Sequence, residues 1–257
     1  MRINTNIGAL NSTKNAFINT MATESSMRKL SSGLRISRAA DDAAGLSIAN
    51  KLRAQSRSLT VASANAEQGG AMLQIAEGSA STIQKILERQ KELIIQREST
   101  GNNNSVTATL NSEITTLSTE VDRIIQSTNF QGSSVFASLS FQVSDGTSGG
   151  TVTVDASLAA TTVSMASTAG ISTIDTALTA INGVLANIGA GQNRLDYTLQ
   201  NLKAAVVNVK AAESTIRDVD MAEEMANYTK NNILTQAAQA MLSQANQSSQ
   251  SVLSLLR

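Results

Sequence analysis

Two adjacent carboxylate pairs, Asp41-Asp42 and Glu223-Glu224, are the places where this chain could jointly hold a divalent ion or pass a proton. Such chemistry needs helpers, and the usual ones are missing. With no His and no Cys in 257 residues, the commonest general base, the thiol nucleophile and the favoured nitrogen and sulfur metal ligands are gone. There is no phosphate-cradling glycine loop, no dinucleotide fingerprint and no HExxH pair. Each carboxylate pair also stands in a helix-start or charged-turn context, "SRAADDAAGL" and "RDVDMAEEMA", where the helix dipole favours negative charge in the first turn. A structural role is the stronger reading, with Arg35, Arg38, Asp41 and Asp42 expected to form an ion-pair knot at a joint. No catalytic residue, metal ligand or cofactor is expected, and the chain does not read as an enzyme.

The elements that would carry any site are unusual in composition. Hydrophobic residues make up 41% of the chain, but aromatics only 2%, and Trp and Pro are absent. The bulky fillers of a compact core are therefore scarce, while helices can run long without proline to stop them. Twenty basic and twenty acidic residues cancel. That balance leaves no net field to hold nucleic acid or an anionic membrane. The first residues, "MRINTNIGALNSTKNAF", lack the apolar core of a cleaved secretory signal, and no stretch reaches the length of a membrane span. Either the protein stays inside the cell or it leaves by another route.

Periodicity gives the clearest signal. Ile48, Leu52, Gln55, Leu59, Ala62, Ala66, Gly69, Leu73, Ala76, Ala80, Ile83, Leu87, Gln90 and Ile94 alternate steps of four and three, the mark of a helical seam. A second series runs Ile171, Ile174, Leu178, Ile181, Leu185, Ile188, Gln192, Leu195, Leu199, Leu202, Val206, Val209, Glu213, Ile216, and a shorter one Leu110, Ile114, Leu117, Val121, Ile124. At 1.5 Å per residue the two longer series predict helices roughly 65 to 75 Å long. "STGNNNS" (Ser99 to Ser105) predicts a turn that makes its flanking helices antiparallel. After "STNFQG" the period becomes two: Leu139, Phe141 and Val143, then "SDGTSGG", then Val152 and Val154, predict a β-hairpin. The Ser/Thr/Ala-rich stretch up to Gly170 reads as loop or irregular strand. The fold class is mainly α: a long coiled-coil-like helical rod, paired N- and C-terminal helices, and one small β-hairpin region.

The two ends are alike in character. Asn231 to Leu256 contains no charged side chain. Ile3, Ile7, Leu10, Phe17 and Met21 mark an apolar stripe at one end; Leu234, Ala238, Met241, Ala245, Ser248, Val252 and Leu255, with Leu256 beside them, mark another. Their remaining faces are Ser, Asn, Thr and Gln. Ordering each residue costs roughly 1–2 kcal/mol, and burying a large apolar side chain returns roughly 1.5–3 kcal/mol; such sparse stripes do not break even alone. Both ends are expected to be frayed in the free subunit and to fold against other copies. Uncharged faces suit that destination, because amides and hydroxyls brought together pair where charges would repel. A Gln/Ser-rich end also reads as a plain disordered tail, but the sustained stepping and the matching N-terminus favour an assembly surface.

Longer motifs carry a family resemblance. "KLSSGLRISRAADDAAGLSIANKLRAQ" (Lys29 to Gln55) closely resembles the N-terminal signature of bacterial flagellins, and "MLSQANQSSQSVLSLLR" their C-terminal signature; "RINTN" and "IRDVDMAEEMANYTKNNIL" also match. The resemblance covers about residues 1–130 and 170–257. It implies an inner coiled-coil domain from residues 1–42 and 219–257, and a rod domain from helices in 43–130, the hairpin and irregular part in 131–170, and the helix in 171–218. Large outer domains found in many flagellins look absent.

It further implies a homopolymeric helical filament that serves as a motility propeller outside the cell. The stripes then carry polymerisation: Ile3, Ile7, Leu10, Phe17, Met21, Leu234, Ala238, Met241, Ala245, Val252, Leu255 and Leu256. Export unfolded through the flagellar type III apparatus, without a cleaved signal, and an export chaperone on the C-terminal segment are implied too. So are filament cap and hook-filament junction proteins as partners. Flagellins sensed by a vertebrate Toll-like receptor present an Arg, a Leu and a Glu from adjacent rod helices; "LERQKELIIQ" and "NSEITTL" place Arg89, Leu93 and Glu113 at matching positions, although Gln90 and Ile94 depart from the best-known pattern. The alternative is a hook-filament junction protein, which shares the terminal helices but would cap or adapt.

Overall fold

The computed structural model describes residues 6–99, 103–144, 146, 150–158 and 170–255, with side chains described up to Ser248. The described residues form five helices, α1 (Ile7–Ser32), α2 (Ala43–Glu98), α3 (Asn104–Ser127), α4 (Ile171–Arg217) and α5 (Met221–Leu255), and two small antiparallel strand pairs. The chain divides into two units, Met1–Ala54 with Val209–Arg257, and Gln55–Asn208. The division falls inside α2 and inside α4.

In the second unit the heptad series of α2 is the core. Leu59, Ala62, Ala66, Leu73, Ala76, Ala80, Ile83, Leu87, Gln90 and Ile94 are all buried. Partner residues set the direction of the helices. Arg97 with Asn111, Gln90 with Ser118 and Ser79 with Thr128 run α3 antiparallel to α2, while Lys91 with Asp175, Glu77 with Gln192 and Glu67 with Lys203 do the same for α4. Because α2 is covered by two helices, its buried arc is wider than a two-helix seam. Met72 and Leu93, one step beside the series, are buried as well.

That geometry also corrects the other two series. In α4 the seven-residue spacing of Ile174, Ile181, Ile188, Leu195 and Leu202 is buried as expected, but the residues between them are Ala177, Val184 and Gly191. Leu178, Leu185 and Gln192 are only half-buried. In α3, Ser118 and Ile125 take the places expected of Leu117 and Ile124. Small residues win where backbones approach closely. A Cβ on Gly191 would stand 2.5 Å from Val154 Cγ2 and 3.3 Å from Leu73 Cδ1, and one on Gly69 would stand 2.9 Å from the Phe141 ring.

Those contacts place the hairpin. Strands β3 (Ser138–Gln142) and β4 (Thr151–Asp155) pair with Leu139 opposite Val154 and Phe141 opposite Val152, as the period-two pattern predicts. Leu139, Val152 and Val154 turn inward while the intervening Ser, Thr and Asp residues are exposed. Asn187 donates to Asp155 O and Arg194 to Thr153 O, fixing β4 to α4, and Asn65 donates to Gln142 O from α2. A second pair, β1 (Asn129–Phe130) with β2 (Ser133–Ser134), closes through Gln131 and Gly132, both at positive φ, the geometry of a tight two-residue hairpin turn. The Ser/Thr/Ala-rich stretch expected to be irregular lies largely outside the described residues.

A polar pair, Gln90 and Ser118, sits in the core. Gln90 is fully buried, and its Nε2 donates to Ile114 O at 3.2 Å and Ser118 Oγ at 3.0 Å. A buried amide that bonds in only one alignment holds the register of α3 against α2.

In the first unit, α1 is capped at both ends. Asn6 Oδ1 accepts from Ala9 N, and Gly33, left-handed at φ 69°, ends α1 with its N–H on Lys29 O. The Gly33 to Arg35 segment bridges the α4–α5 linker: Leu34 pairs with Asp218, Arg35 N donates to Arg217 O, and Val219 N donates to Gly33 O. The expected knot of Arg35, Arg38, Asp41 and Asp42 is different in kind. Asp41 Oδ2 accepts from the Ser37 and Arg38 backbone N–H groups and the Ser37 hydroxyl, Asp42 Oδ1 accepts from Gly45 N to start α2, and Arg35 Nη2 donates to Ile216 O. No ion pair joins the four among the described residues. The carboxylates serve orphan N–H donors at a helix entry instead. Hydrogen bonds from the Arg38 and Ser37 backbone hold the Asp41 carboxyl below the ordinary aspartate value of 3.8.

Gly191→Val should destabilise the second unit by about 1–3 kcal/mol through overpacking. Gly183→Ala, on an exposed helix face with open space around it, should stabilise it by about 0.5–1 kcal/mol; thermal melts of both variants check the contrast. For Asp41, a folded-state pKa below the unfolded one means a contribution fully present above pH 4 or so and lost as pH falls through the depressed value. Carboxyl NMR titration should place its midpoint below 3.8.

A candidate assembly surface on the terminal helices

α1 and α5 pack against each other in antiparallel fashion. Asn6 Nδ2 donates to Ala245 O at 2.9 Å near one end, and Lys29 Nζ lies 3.7 Å from Glu224 Oε2 near the other. The residues of α1 that lose exposure include Ala9, Ser12, Ala16, Asn19, Thr23 and Ser26, again in steps of three and four, joined toward the C-terminal end by Ala22, Ser25, Lys29 and Leu30. Across from them α5 offers Asn231, Thr235, Ala238, Leu242 and Ala245. The seam is thus built mostly from small side chains, with Leu242 and Tyr228 as larger members and the Lys29–Glu224 ion pair at one end. Such a seam lets two backbones come close but removes little apolar area from water, and the return scales with that area at about 25 cal/mol per Å².

The larger apolar residues point elsewhere. At 100° per residue, Ile7, Leu10, Phe17 and Met21 lie on the side of α1 opposite its seam, and with Ile18 each is more than half exposed, Phe17 the most at 66%. On α5, Leu234 and Met241 flank the seam in solvent, joined by Met221, Met225 and Ile233 around the rest of the helix. Single exposed apolar side chains are ordinary, but a row of this length on α1, interrupted by Lys14, is the kind of patch that marks an interaction surface.

The residues expected to act in polymerisation therefore divide. Ile7, Leu10, Phe17 and Met21 lie on the face of α1 turned away from α5, Leu234 and Met241 are exposed beside the seam, and Ala238 and Ala245 belong to the α1–α5 seam. Val252 and Leu255 lie in the last turns of α5 with side chains outside the described set, and Ile3 and Leu256 are outside the described residues. Ile18 and Ile233 complete the outward face and were not singled out by stepping, because each sits one position beside a residue that already satisfied the seam rule. Their signal was bulk: a β-branched Ile adjoining a stripe residue widens the stripe.

In the second unit, Arg89 Nη2 approaches Glu113 Oε1 at 3.3 Å and Arg89 Nη1 approaches Glu92 Oε2 at 2.9 Å, with all three side chains about half exposed. These bonds, that to Glu92 first, raise the Arg89 pKa. Leu93 is corrected from a surface position to the interior: it is 1% exposed, since the wide buried arc of α2 includes it. The carboxylate pairs are occupied with structure. Asp41 and Asp42 hold the entry to α2, while Glu224 faces Lys29 and Glu223 lies in the first turn of α5.

Comparison with known proteins agrees along the length of the chain. The family model of the bacterial flagellin N-terminal helical region matches residues 3–140, and that of the C-terminal helical region matches residues 171–256. The chain is 40% identical over 304 residues to a flagellin of Bacillus subtilis, and 42% over 272 residues to a flagellin of Halalkalibacterium halodurans, with 100% of both partners covered in each case. It is 37% identical over 286 residues, again with 100% of both covered, to the flagellar filament 33 kDa core protein of Treponema phagedenis. With both helical regions matched, and with an uncovered apolar face on the terminal helices that those regions comprise, the chain belongs to the bacterial flagellins.

Proposed function

We propose that this protein is the structural subunit of a flagellar filament, a homopolymer outside the cell that works as a propeller. One observation carries the reading: the large apolar residues of α1 face away from α5, so their shelter must come from further copies. The inner domain is then the paired α1 and α5, and the rod is built from α2, α3, the hairpin and α4. A seam of mostly small residues suits a chain exported unfolded through the flagellar type III apparatus, because α1 and α5 can stay apart until neighbours supply further burial. The uncharged C-terminal segment is the natural hold for an export chaperone, and filament cap and hook-filament junction proteins would meet the same terminal helices at the polymer's ends.

The half-exposed Arg89–Glu113 pair supports a secondary role as a ligand of the vertebrate Toll-like receptor for flagellins. In that role Arg89 and Glu113 make the contact, and Leu93 shapes the surface from below.

A chain cut after Ala237 loses Met241 and the last turns of α5. It should leave no sedimentable polymer while circular dichroism shows the second unit's helices intact; filaments from the truncated chain would refute the assembly reading. For the receptor role, Leu93→Ala should lower stability by about 2–5 kcal/mol as a buried leucine, whereas Arg89→Ala should leave the melting transition in place. Loss of receptor signalling with Arg89→Ala in a normally polymerising chain is the expected result, and undiminished signalling overturns it.

A further inference from the structure

Methionines are distributed unevenly over the two units. Among the described residues, the first unit holds Met21, Met27, Met221, Met225 and Met241, each between 49% and 61% exposed; the second holds Met72, at 8%. No thiol competes with them, because the chain has no Cys, and it has no Trp or His either. The thioethers are thus the side chains most open to two-electron oxidation. They also lie on the helices that bear the outward apolar face, and methionine is the side chain best able to fill an irregular docking surface.

We propose that these five methionines form a reversible oxidation site that makes the unassembled subunit, but not the finished filament, sensitive to hydroperoxides. The inference rests on the filament reading. The thioether sulfur attacks one peroxide oxygen; the O–O bond breaks, an S–O bond forms, and water or an alcohol leaves. Sulfur gives up the two electrons that reduce the peroxide, and the product is methionine sulfoxide. A flexible apolar chain becomes a polar one whose new oxygen needs a hydrogen-bond donor. On α1 and α5 in solvent, water supplies that donor and the subunit keeps its fold. Inside a subunit interface the oxygen loses it, so oxidised chains add poorly to a growing end. Once docked, the same sulfurs are covered and react slowly.

The test treats monomeric full-length chain and preformed filaments with dilute hydrogen peroxide and maps the added oxygen, about 16 Da per sulfoxide, by peptide mass spectrometry. In the monomer the five sites should oxidise at least about fivefold faster than Met72, as their exposures differ by about that factor; in filaments they should slow to the Met72 rate. Oxidised monomer should show a critical concentration for polymerisation raised at least about tenfold, from burying an unpartnered polar oxygen, and methionine sulfoxide reductase should restore it. Even oxidation of all six positions in monomer, or normal polymerisation of fully oxidised chain, overturns the proposal. Failure of reductase to restore growth overturns it too, since the damage then lies elsewhere. An untreated chain that forms no filaments overturns the filament reading itself, a result separate from the oxidation map.

Discussion

The pairing of α1 with α5 through mostly small side chains is the constraint on which the rest depends. Ala16 and Ala238 let two backbones approach, and Asn6 binds Ala245 O across the pair, but none of these removes much apolar surface from water. Ordering a residue costs roughly 1–2 kcal/mol, and a seam of Ala, Ser and Thr returns little against it. The bulky residues that could return more, Leu10, Phe17 and Met21, are turned away from the partner helix. A unit with its strongest apolar groups outside is a unit prepared for neighbours.

The second unit is arranged on the opposite plan. Its Leu and Ile residues meet inside, with Leu73, Ile83, Leu87, Ile94, Ile114, Ile174, Ile181 and Ile188 all but inaccessible, and charged residues such as Lys91, Asp175, Glu67 and Lys203 tie the helices together at the rim. Exposed pairs of this kind contribute about 0–1 kcal/mol each, so they choose alignment more than they add stability. Gln90 does the same from within, spending a core position on hydrogen bonds that only one register satisfies. Self-sufficient burial in one unit and withheld burial in the other let a single chain be folded and still polymerise.

Much of this was legible beforehand, and the failures are informative. The α2 series matched from Leu59 to Ile94, where its face is buried, but not at its start, where Ile48 is 51% exposed and Gln55 is exposed; the hairpin matched because a period of two admits only one assignment of inner and outer residues. The α4 series was half right. Stepping rules weigh Leu178 above Ala177 because leucine is larger, yet the close approach of α2 and the hairpin selects the smaller neighbour, as Gly191 under Val154 shows. Leu93 differs in the other direction: a motif placed it beside Arg89 on the surface, but it falls within the wide buried arc of α2 and is 1% exposed.

What the sequence determined by itself was the helical class, the site of the hairpin, the absence of thiol or imidazole chemistry, and the family, since all of these depend on residue type and local spacing. What only the tertiary structure decided was which face of each helix meets which neighbour. At the two ends every face carries either apolar or small polar residues, so periodicity could find a stripe on α1 but not say whether α5 or another molecule would cover it. Burial shows that α5 does not: the smaller side chains take the seam, and the large ones of α1 stay exposed in the single chain.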